Sequence, residues 1–260
     1  MKLQAGEKIL DYKAWEPRYL EIAGRLRIDT ECDMESSKLL SKLIGGNGAN
    51  MGAIRNSMNG KLALVLGAGP SLERNLLSVR GTAGFISIAA DGATSAYREI
   101  LGRYPDFIVT DLDGYRVEEE VEASRRGSSV VVHAHCDNVR AIRSMVPLML
   151  KTIGSTQNTP LSNVYNFGGF TDGDRAAFFA VEMGCKGLVL AGMDLGEIIG
   201  RFSKSFVMDV QRKIEKLKIA GELLEWLTEL NPAVEYYNMT GGIHIRNYRD
   251  ITPDDFRKLI

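Results

Sequence analysis

The sequence predicts an α/β protein, a doubly wound, mostly parallel sheet with a small helical N-terminal domain, and three observations predict it. Short apolar runs rich in Val, Ile, Leu and Ala recur at 61–66, 85–89, 107–109, 130–133 and 187–191, with weaker, Tyr-containing runs at 163–167 and 234–238. The strongest are continuous rather than alternating, as strands covered on both faces are. Helical stretches separate most of them, which is the spacing of parallel β-α-β units. The first six also end in glycine, a carboxylate or a polar cluster, and the carboxyl edge of an open α/β sheet is where ligands bind.

From residue 9 to about 58 the pattern is helical, with Trp15, Tyr19, Ile22 and Leu26 on one stripe and Leu39, Leu40, Leu43 and Ile44 on another. Asp29, Thr30 and Asp33 offer caps between the two, and Gly45-Gly-Asn-Gly48 reads as a helix stop. A helical domain over 1–58 and an α/β domain over 59–260 are expected, joined through the short polar stretch at 56–60.

The main body opens with the run at 61–66, which leads into Gly67-Ala-Gly-Pro-Ser-Leu72 and a helix to about Ser78. The run at 85–89 ends at Asp91-Gly-Ala93, before a helix over 94–102. The run at 107–109 ends at Asp111-Leu-Asp113-Gly114, followed by an acidic helix over 117–126. Residues 130–133 lead into Ala134-His-Cys-Asp-Asn138 and a helix that Pro147 ends or kinks. A polar loop is expected between 152 and 160. A weaker strand at 163–167 runs to Gly168-Gly-Phe-Thr-Asp-Gly-Asp174 and a helix over 175–183, and the run at 187–191 ends in Gly192-Met-Asp194. The long segment 207–230 places Val207, Val210, Ile214, Leu217, Leu224 and Leu227 on a packing stripe, with Lys213, Lys216 and Lys218 mostly off it. After the strand at 234–238, the tail from 243 is expected to pack over the site or a neighbour.

Composition bounds the function. The 260 residues are 45% hydrophobic and 25% charged with a net charge of -1, which argues against a nucleic-acid or anionic-membrane partner, both of which leave a basic excess. No apolar run approaches the ~20 residues of a spanning helix, and the opening Met-Lys-Leu-Gln-Ala lacks the apolar centre of a signal peptide; a cytoplasmic protein is expected. The three cysteines, Cys32, Cys136 and Cys185, show no C-x-x-C spacing and read as small buried thiols in a reducing compartment.

Asp111 and Asp113 are the centre of the functional reading. A strand ending in Asp-x-Asp brings two like charges to one edge, where they raise each other's pKa unless a cation lies between them. Mg²⁺ carrying phosphate oxygens is the natural one, since it takes one or two carboxylates. Each acid alone could be a cap or turn residue, but coincident polar strand ends favour a polyanion site with metal. Gly67-Ala-Gly-Pro-Ser-Leu72 places backbone N–H groups at a helix N-terminus, a phosphate cradle. It lacks the Gly-Lys-Ser/Thr of a P-loop and fits G-x-G-x-x-G only in part, because Leu72 stands at the third glycine. Asp91 sits where that fingerprint has its ribose-binding acid, so a nicotinamide- or S-adenosylmethionine-binding enzyme is a rival. A nucleotide-sugar glycosyltransferase and a non-enzymatic nucleotide-sensing module are others. His133, His135 and Cys136 lack the further ligands of a zinc site.

Taken in order, Gly67-Ala-Gly-Pro-Ser-Leu72, Asp91-Gly-Ala93, Asp111-Leu-Asp113, His133-Ala-His-Cys-Asp-Asn138, Asn166-Phe-Gly-Gly-Phe-Thr-Asp-Gly-Asp-Arg175 and Gly192-Met-Asp194 resemble the archaeal 6-hydroxymethyl-7,8-dihydropterin diphosphokinases, the MptE-like proteins, over nearly the whole chain, Trp15 included. Those proteins are distantly similar to the catalytic domain of thiamine diphosphokinase. Cys136 departs from the family pattern, which has glycine there. The resemblance implies transfer of a diphosphoryl group from ATP to the hydroxymethyl oxygen of the reduced pterin, releasing AMP, on the way to folate or tetrahydromethanopterin. On this reading Asp111 and Asp113 are the catalytic residues and hold Mg²⁺, with Asp91 and Asp172 supporting it directly or through water. Gly67, Gly69 and Ser71 cradle the nucleotide together with His135, Asp137 and Asn138, and Lys213 and Lys216 reach the triphosphate if the long helix crosses the site. Gly168, Gly169, Phe170, Asp172 and Asp194 line the pterin side. The expected partners are ATP and the pterin, with a homodimer as the possible assembly.

Overall fold

The computed structural model describes residues 10–46, 48–114, 116–196, 198, 200–203 and 209–260. Three helices come first, α1 (Tyr12–Leu26), α2 (Thr30–Ile44) and α3 (Met51–Met58). Strands and helices then alternate as β1 (Leu62–Leu66), α4 (Leu72–Ser78), β2 (Phe85–Ala90), α5 (Ala93–Leu101), β3 (Phe107–Thr110), α6 (Val117–Arg125), β4 (Ser129–His133) and α7 (Val139–Met145). They are followed by β5 (Thr152–Ser155), β6 (Val164–Tyr165), α8 (Asp172–Glu182), β7 (Gly187–Ala191), α9 (Val210–Leu230), β8 (Glu235–Asn238), β9 (Arg249–Asp250) and α10 (Pro253–Leu259).

The strands form one sheet in the order β6-β5-β4-β3-β2-β1-β7-β8-β9, and every neighbouring pair is parallel. The chain therefore steps outward from β1 to β6, then returns to the other side of β1 with β7. The direction reverses between β1 and β7, which opens a crevice at their carboxyl ends.

The continuous apolar runs are explained by the two faces of that sheet. Ala63 and Val65 share a core with Ile86, Ile88, Val109, Leu188 and Leu190, under α1, α3, α8 and α9. Leu62, Leu64 and Leu66 turn the other way, with α4, α5 and α10, and the register that pairs Ala89 with Ile108 and Ile108 with Val130 carries that second face on to α2, α6 and α7. Alternate residues thus serve different cores, and both must be apolar.

The N-terminal helices pack into these same cores. Trp15, fully buried, stacks on Trp226 of α9 and donates its indole N–H to the Gln157 carbonyl at 2.7 Å. Asp11 caps α1 and Asp29 caps α2, the latter accepting from the Glu31 and Cys32 N–H groups. Helix α2 stops at Ile44 before Gly45, whose φ of 50° lies in the left-handed region.

Some expectations are corrected and others narrowed. The polar stretch at 152–160 is not a loop throughout, because its first four residues are the buried strand β5. Helix α2 covers that polar segment and meets its hydrogen bonds, Ser37 donating to Thr156 Oγ1 at 2.8 Å, so low hydropathy did not mean exposure. Of the two places expected for the tail, it takes neighbouring elements rather than the site: β9 extends the sheet edge, and α10 sets Phe256 edge-on against Phe85, at the amino end of β2. Finally, Cys32 and Cys136 form a disulfide across 104 residues of sequence, their Cα atoms 5.0 Å apart. Only the packing of α2 on the turn after β4 brings them together, which spacing cannot reveal. Cys185 is a buried free thiol, its pKa pushed up to about 12 by burial. The expected stripe on α9 divides as well: Leu224 and Leu227 are buried, Leu217 faces a cavity and Val210 is exposed. Val207 lies outside the described residues. Among the described residues no helix is long and apolar enough to cross a membrane.

Candidate active site

Two adjoining cavities open along the carboxyl edge of the sheet. The smaller, about 210 Å³, lies at the crevice between β1 and β7 and is walled by Gly67, Gly69, Gly192 and Asp194. The larger, about 820 Å³, is walled by Asp91, Asp111, Asp113, His135 and Asp172 among others, and a volume of that order suits a ligand with both a polar tail and a ring. Ala68, Asp91, Thr171, Asp172 and Lys213 belong to both walls.

The glycine turn after β1 is glycine because the loop after β7 presses on it. A Cβ at Gly69 would lie 2.2 Å from Asp194 Oδ2, and one at Gly67 would lie 2.7 Å from the Gly192 carbonyl oxygen. Gly67 and Gly69 donate their N–H groups to Ala191 and Gly192 at 2.9 and 2.7 Å. Asp194 Oδ2 accepts from both the N–H and the Oγ of Ser71, at 3.1 and 2.9 Å. The seat at the start of α4, where a phosphate was expected, therefore holds the chain's own carboxylate, which also complements that helix end. Asp194 stands with the glycine turn in the smaller cavity, apart from the wall of the larger one.

The acids at the next strand ends are arranged differently. Asp91 and Leu112 have φ values of 44° and 63°, a left-handed conformation that costs a branched or bulky residue energy and clusters at functional sites. The turn of β3 closes on Asp91 so tightly that a Cβ at Gly114 would fall 1.9 Å from Asp91 Oδ1. Asp111 Oδ1 accepts from the Asp113 N–H at 3.2 Å, and its Oδ2 lies 3.5 Å from His135 Nε2. Burial, with Asp111, Asp91 and Asp113 around it and only partly offset by Arg175, pushes the Asp172 carboxyl well above the usual range. Glu120, on the buried side of α6, is likewise pushed well up by burial and by Asp91.

Several residues position rather than face the cavity. Asn138 is buried; its amide donates to the Asp111 and His133 carbonyls, both at 2.7 Å, and its Oδ1 accepts from the His135 N–H at 3.1 Å. It thereby ties the end of β3 to the turn after β4. The Asp137 side chain is turned mostly to solvent at the cavity rim. Asp172 and Asp174 divide their work: Asp174 turns inward and caps α8, accepting from the Phe170 and Thr171 N–H groups at 2.6 and 2.8 Å, while Asp172 faces the cavity. Gly168 and Gly169 line neither cavity. A Cβ at Gly169 would meet the Arg175 backbone at 2.4 Å, so that glycine serves the packing of α8 beneath the site. Phe170 lines the larger cavity, with Lys216 Nζ 5.9 Å from its ring centre. Lys213, whose Nζ donates to Ser203 Oγ at 3.2 Å, stands in the walls of both cavities.

Sequence reasoning passed over five residues here. Arg175 is fully buried under the acids, donating to the Phe170 carbonyl at 3.1 Å; burial works against its charge, and Asp172 and Asp174 support it. His133 is buried at the end of β4, where burial and Arg175 hold its pKa well below the ordinary value, and it also meets the cavity. Glu120 looked like part of a solvated acidic helix. Arg27 and Arg212 join the cavity wall from the N-terminal helices and α9, a convergence that only the tertiary fold creates.

The donor set fits a hard cation in one respect: several carboxylates share a cleft at left-handed strand ends, and burial together with neighbouring carboxylates drives one of them, Asp172, toward its protonated form. Among the described residues no three His, Cys, Asp or Glu side chains are spaced to close on an ion unaided. A Mg²⁺ ion ordinarily takes only one or two protein carboxylates and completes its shell with phosphate and water oxygens.

Residues 39–200 match the family model described as 6-hydroxymethylpterin diphosphokinase MptE-like. A Pyrococcus furiosus protein named 6-hydroxymethyl-7,8-dihydropterin pyrophosphokinase is 43% identical over 225 residues, 84% of this chain and 94% of that protein. A Methanothermobacter thermautotrophicus protein of the same name is 39% identical over 227 residues, 84% of this chain and 95% of that one. Among solved structures, the sialyltransferase Cst-I of Campylobacter jejuni superposes with a TM-score of 0.48 at 14% identity, covering 73% of this chain and 79% of that one, a level of likeness that does not reach shared chemistry. With an ordered set of strand-end residues on one sheet edge and relatives matched along most of its length, the chain belongs to the MptE-like family.

Proposed function

We propose that the chain transfers an intact diphosphoryl group from ATP to the hydroxymethyl oxygen of 6-hydroxymethyl-7,8-dihydropterin. The alcohol oxygen attacks the β-phosphorus, the bond from that phosphorus to the α,β-bridging oxygen breaks, and AMP leaves with the bridging oxygen. The alcohol proton goes to a carboxylate of the cleft. The observation that carries this reading is the convergence of Asp91, Asp111, Asp113 and Asp172 on one cavity whose wall also includes Arg212, Lys213 and Lys216 from α9. The names of the matched relatives support it.

Such transfers need alignment and charge neutralisation more than covalent help from side chains. Mg²⁺, held by Asp111 and Asp113 with Asp91 and Asp172 directly or through water, would supply Lewis-acid neutralisation of the phosphate oxygens. The chain's own part is to hold those acids rigidly, through Asn138 on the Asp111 carbonyl and Gly114 against Asp91. It also brings cations of α9 to the same cavity wall, where they attract the phosphate tail.

The test is incubation of the full chain with ATP, Mg²⁺ and the reduced pterin. AMP appearing one-for-one with a diphosphorylated pterin supports the reading. ADP as the product, or no pterin-dependent turnover, contradicts it.

A further inference from the structure

The wall of the larger cavity carries a second polar group set, from α2 and the end of β5, that the phosphate chemistry does not use. Gln157 and Asp33 are 3% and 1% exposed, yet both reach the cavity wall. Gln157 Nε2 donates to Asp33 Oδ2 at 2.8 Å. That bond fixes the amide, because the opposite orientation would set its oxygen against a carboxylate. Oε1 is thereby committed as an acceptor, and it is buried with no hydrogen-bond partner among the described residues. Asp33 accepts from Tyr19 Oη at 3.0 Å on Oδ2 and from the Cys136 N–H at 2.9 Å on Oδ1. A carboxylate has about four acceptor sites, so one on Oδ1 remains. A buried acceptor without a donor costs stability, so Gln157 Oε1, beside the remaining acceptor site of Asp33 Oδ1, calls for a ligand that supplies two donors side by side.

An adenine ring is a poor match, since its amino group is flanked by ring nitrogens that are themselves acceptors. A 2-amino-4-oxo pyrimidine is a good one, because its amino N–H and its ring N–H lie side by side. Phe170, in the same cavity, offers a ring face on which a flat heterocycle can rest.

We propose that Gln157 Oε1 and Asp33 Oδ1 recognise the amino and ring N–H edge of the acceptor's fused ring, which makes Gln157 a specificity-determining residue. The inference rests on the diphosphokinase reading and moves the pterin from Gly168, Gly169 and Asp194 to the α2 and β5 end of the cavity. The nucleotide then takes the opposite end, toward the glycine turn.

The test is a set of binding titrations on the full chain, wild type and Gln157→Met, with 6-hydroxymethylpterin, with the lumazine analogue in which an oxo group replaces the 2-amino group, and with Mg²⁺-ATP. The wild type binds the pterin at least about tenfold more tightly than the lumazine, because an oxo group in place of the amino group leaves one acceptor unpaired and sets oxygen against oxygen, while the ring N–H is kept. Gln157→Met loses about tenfold in pterin affinity, loses little for the lumazine, and keeps its ATP affinity within about twofold. Equal binding of pterin and lumazine by the wild type overturns the inference, as does a variant that still discriminates between them. So does a parallel loss of ATP and pterin binding, which makes Gln157 a packing residue. If the wild type binds ATP but neither ring compound, the diphosphokinase reading fails first and this inference falls with it.

Discussion

The glycine turn after β1 and the acidic ends of β2 and β3 lie on the same sheet edge, and they are built on opposite principles. In the turn, the polar contacts are settled within the chain: Gly67 and Gly69 bond to the loop after β7, and Asp194 takes both donors of Ser71. At the acidic ends, Asp91 and Leu112 sit in left-handed backbone, and beside them, at the start of α8, burial among like charges drives Asp172 toward its protonated form. The first is a finished frame, stable by itself. The second is locally unfavourable and makes physical sense when a positive charge or a ligand offsets it, the pattern expected where local rules are broken for function.

The largest effect that would sharpen this comparison is on turnover. Asp111→Asn keeps the acceptor for the Asp113 N–H but removes one charge from the cleft, so activity should fall on the order of 10²–10³-fold while the melting temperature stays level or rises. An active variant with Mg²⁺ would mean that Asp111 is not part of the metal and phosphate machinery.

A second effect concerns the wall beside the acids. Cys136 is in that wall and is tied to Cys32 of α2, so reduction should cost about 2–4 kcal/mol of stability. The loss would be read as a lower melting temperature with reductant, and Cys32→Ser should show no response to reductant. Hydrogen exchange should quicken at 134–138 and stay slow at 67–71, because only the first segment leans on the bridge.

The frame itself is tested by Gly69→Ala. Its Cβ would fall 2.2 Å from Asp194 Oδ2, and relief requires moving Asp194 off Ser71, at a cost of roughly 1–3 kcal/mol. Urea unfolding measures it, and an unchanged midpoint would show that the turn is softer than its contacts imply.

The smallest effect is pH-dependent. Glu120 has its folded pKa raised by burial and by Asp91, so below the ordinary carboxylate range both states are protonated and its folded-state stability is intact. As pH rises through that range the unfolded chain gives up the proton and the folded one resists, so stability is lost toward the raised value. Glu120→Gln should therefore melt higher than wild type by a margin that grows from pH 4 upward. A margin that shrinks with pH would contradict the sign.

Much of the frame was legible because it is written in local pattern. Continuous apolar runs followed by helices gave the parallel strands, and Gly67, Gly69, Asp91 and Asp111 stood at strand ends where the structure has them. What stayed hidden depends on which surfaces meet. Strand β5 was concealed because Thr152, Ser155 and Thr156 are polar yet covered by α2. The bridge from Cys32 to Cys136, and the approach of Asp33 to Gln157, need α2 laid across the end of the sheet. Asp174 resembled a site acid until its hydrogen bonds to Phe170 and Thr171 showed it capping α8, and Glu120 resembled a solvated residue until α6 turned it inward. Charge type could be read from the chain, but its orientation could not.

The central claim is that acids held together at strand ends are made for a phosphate tail that arrives with a divalent ion. Titrating a non-hydrolysable ATP analogue into the wild type and Asp111→Asn, each with and without Mg²⁺, tests it most directly. Tight binding is expected only for the wild type with Mg²⁺. Equal affinity in all four titrations would contradict it.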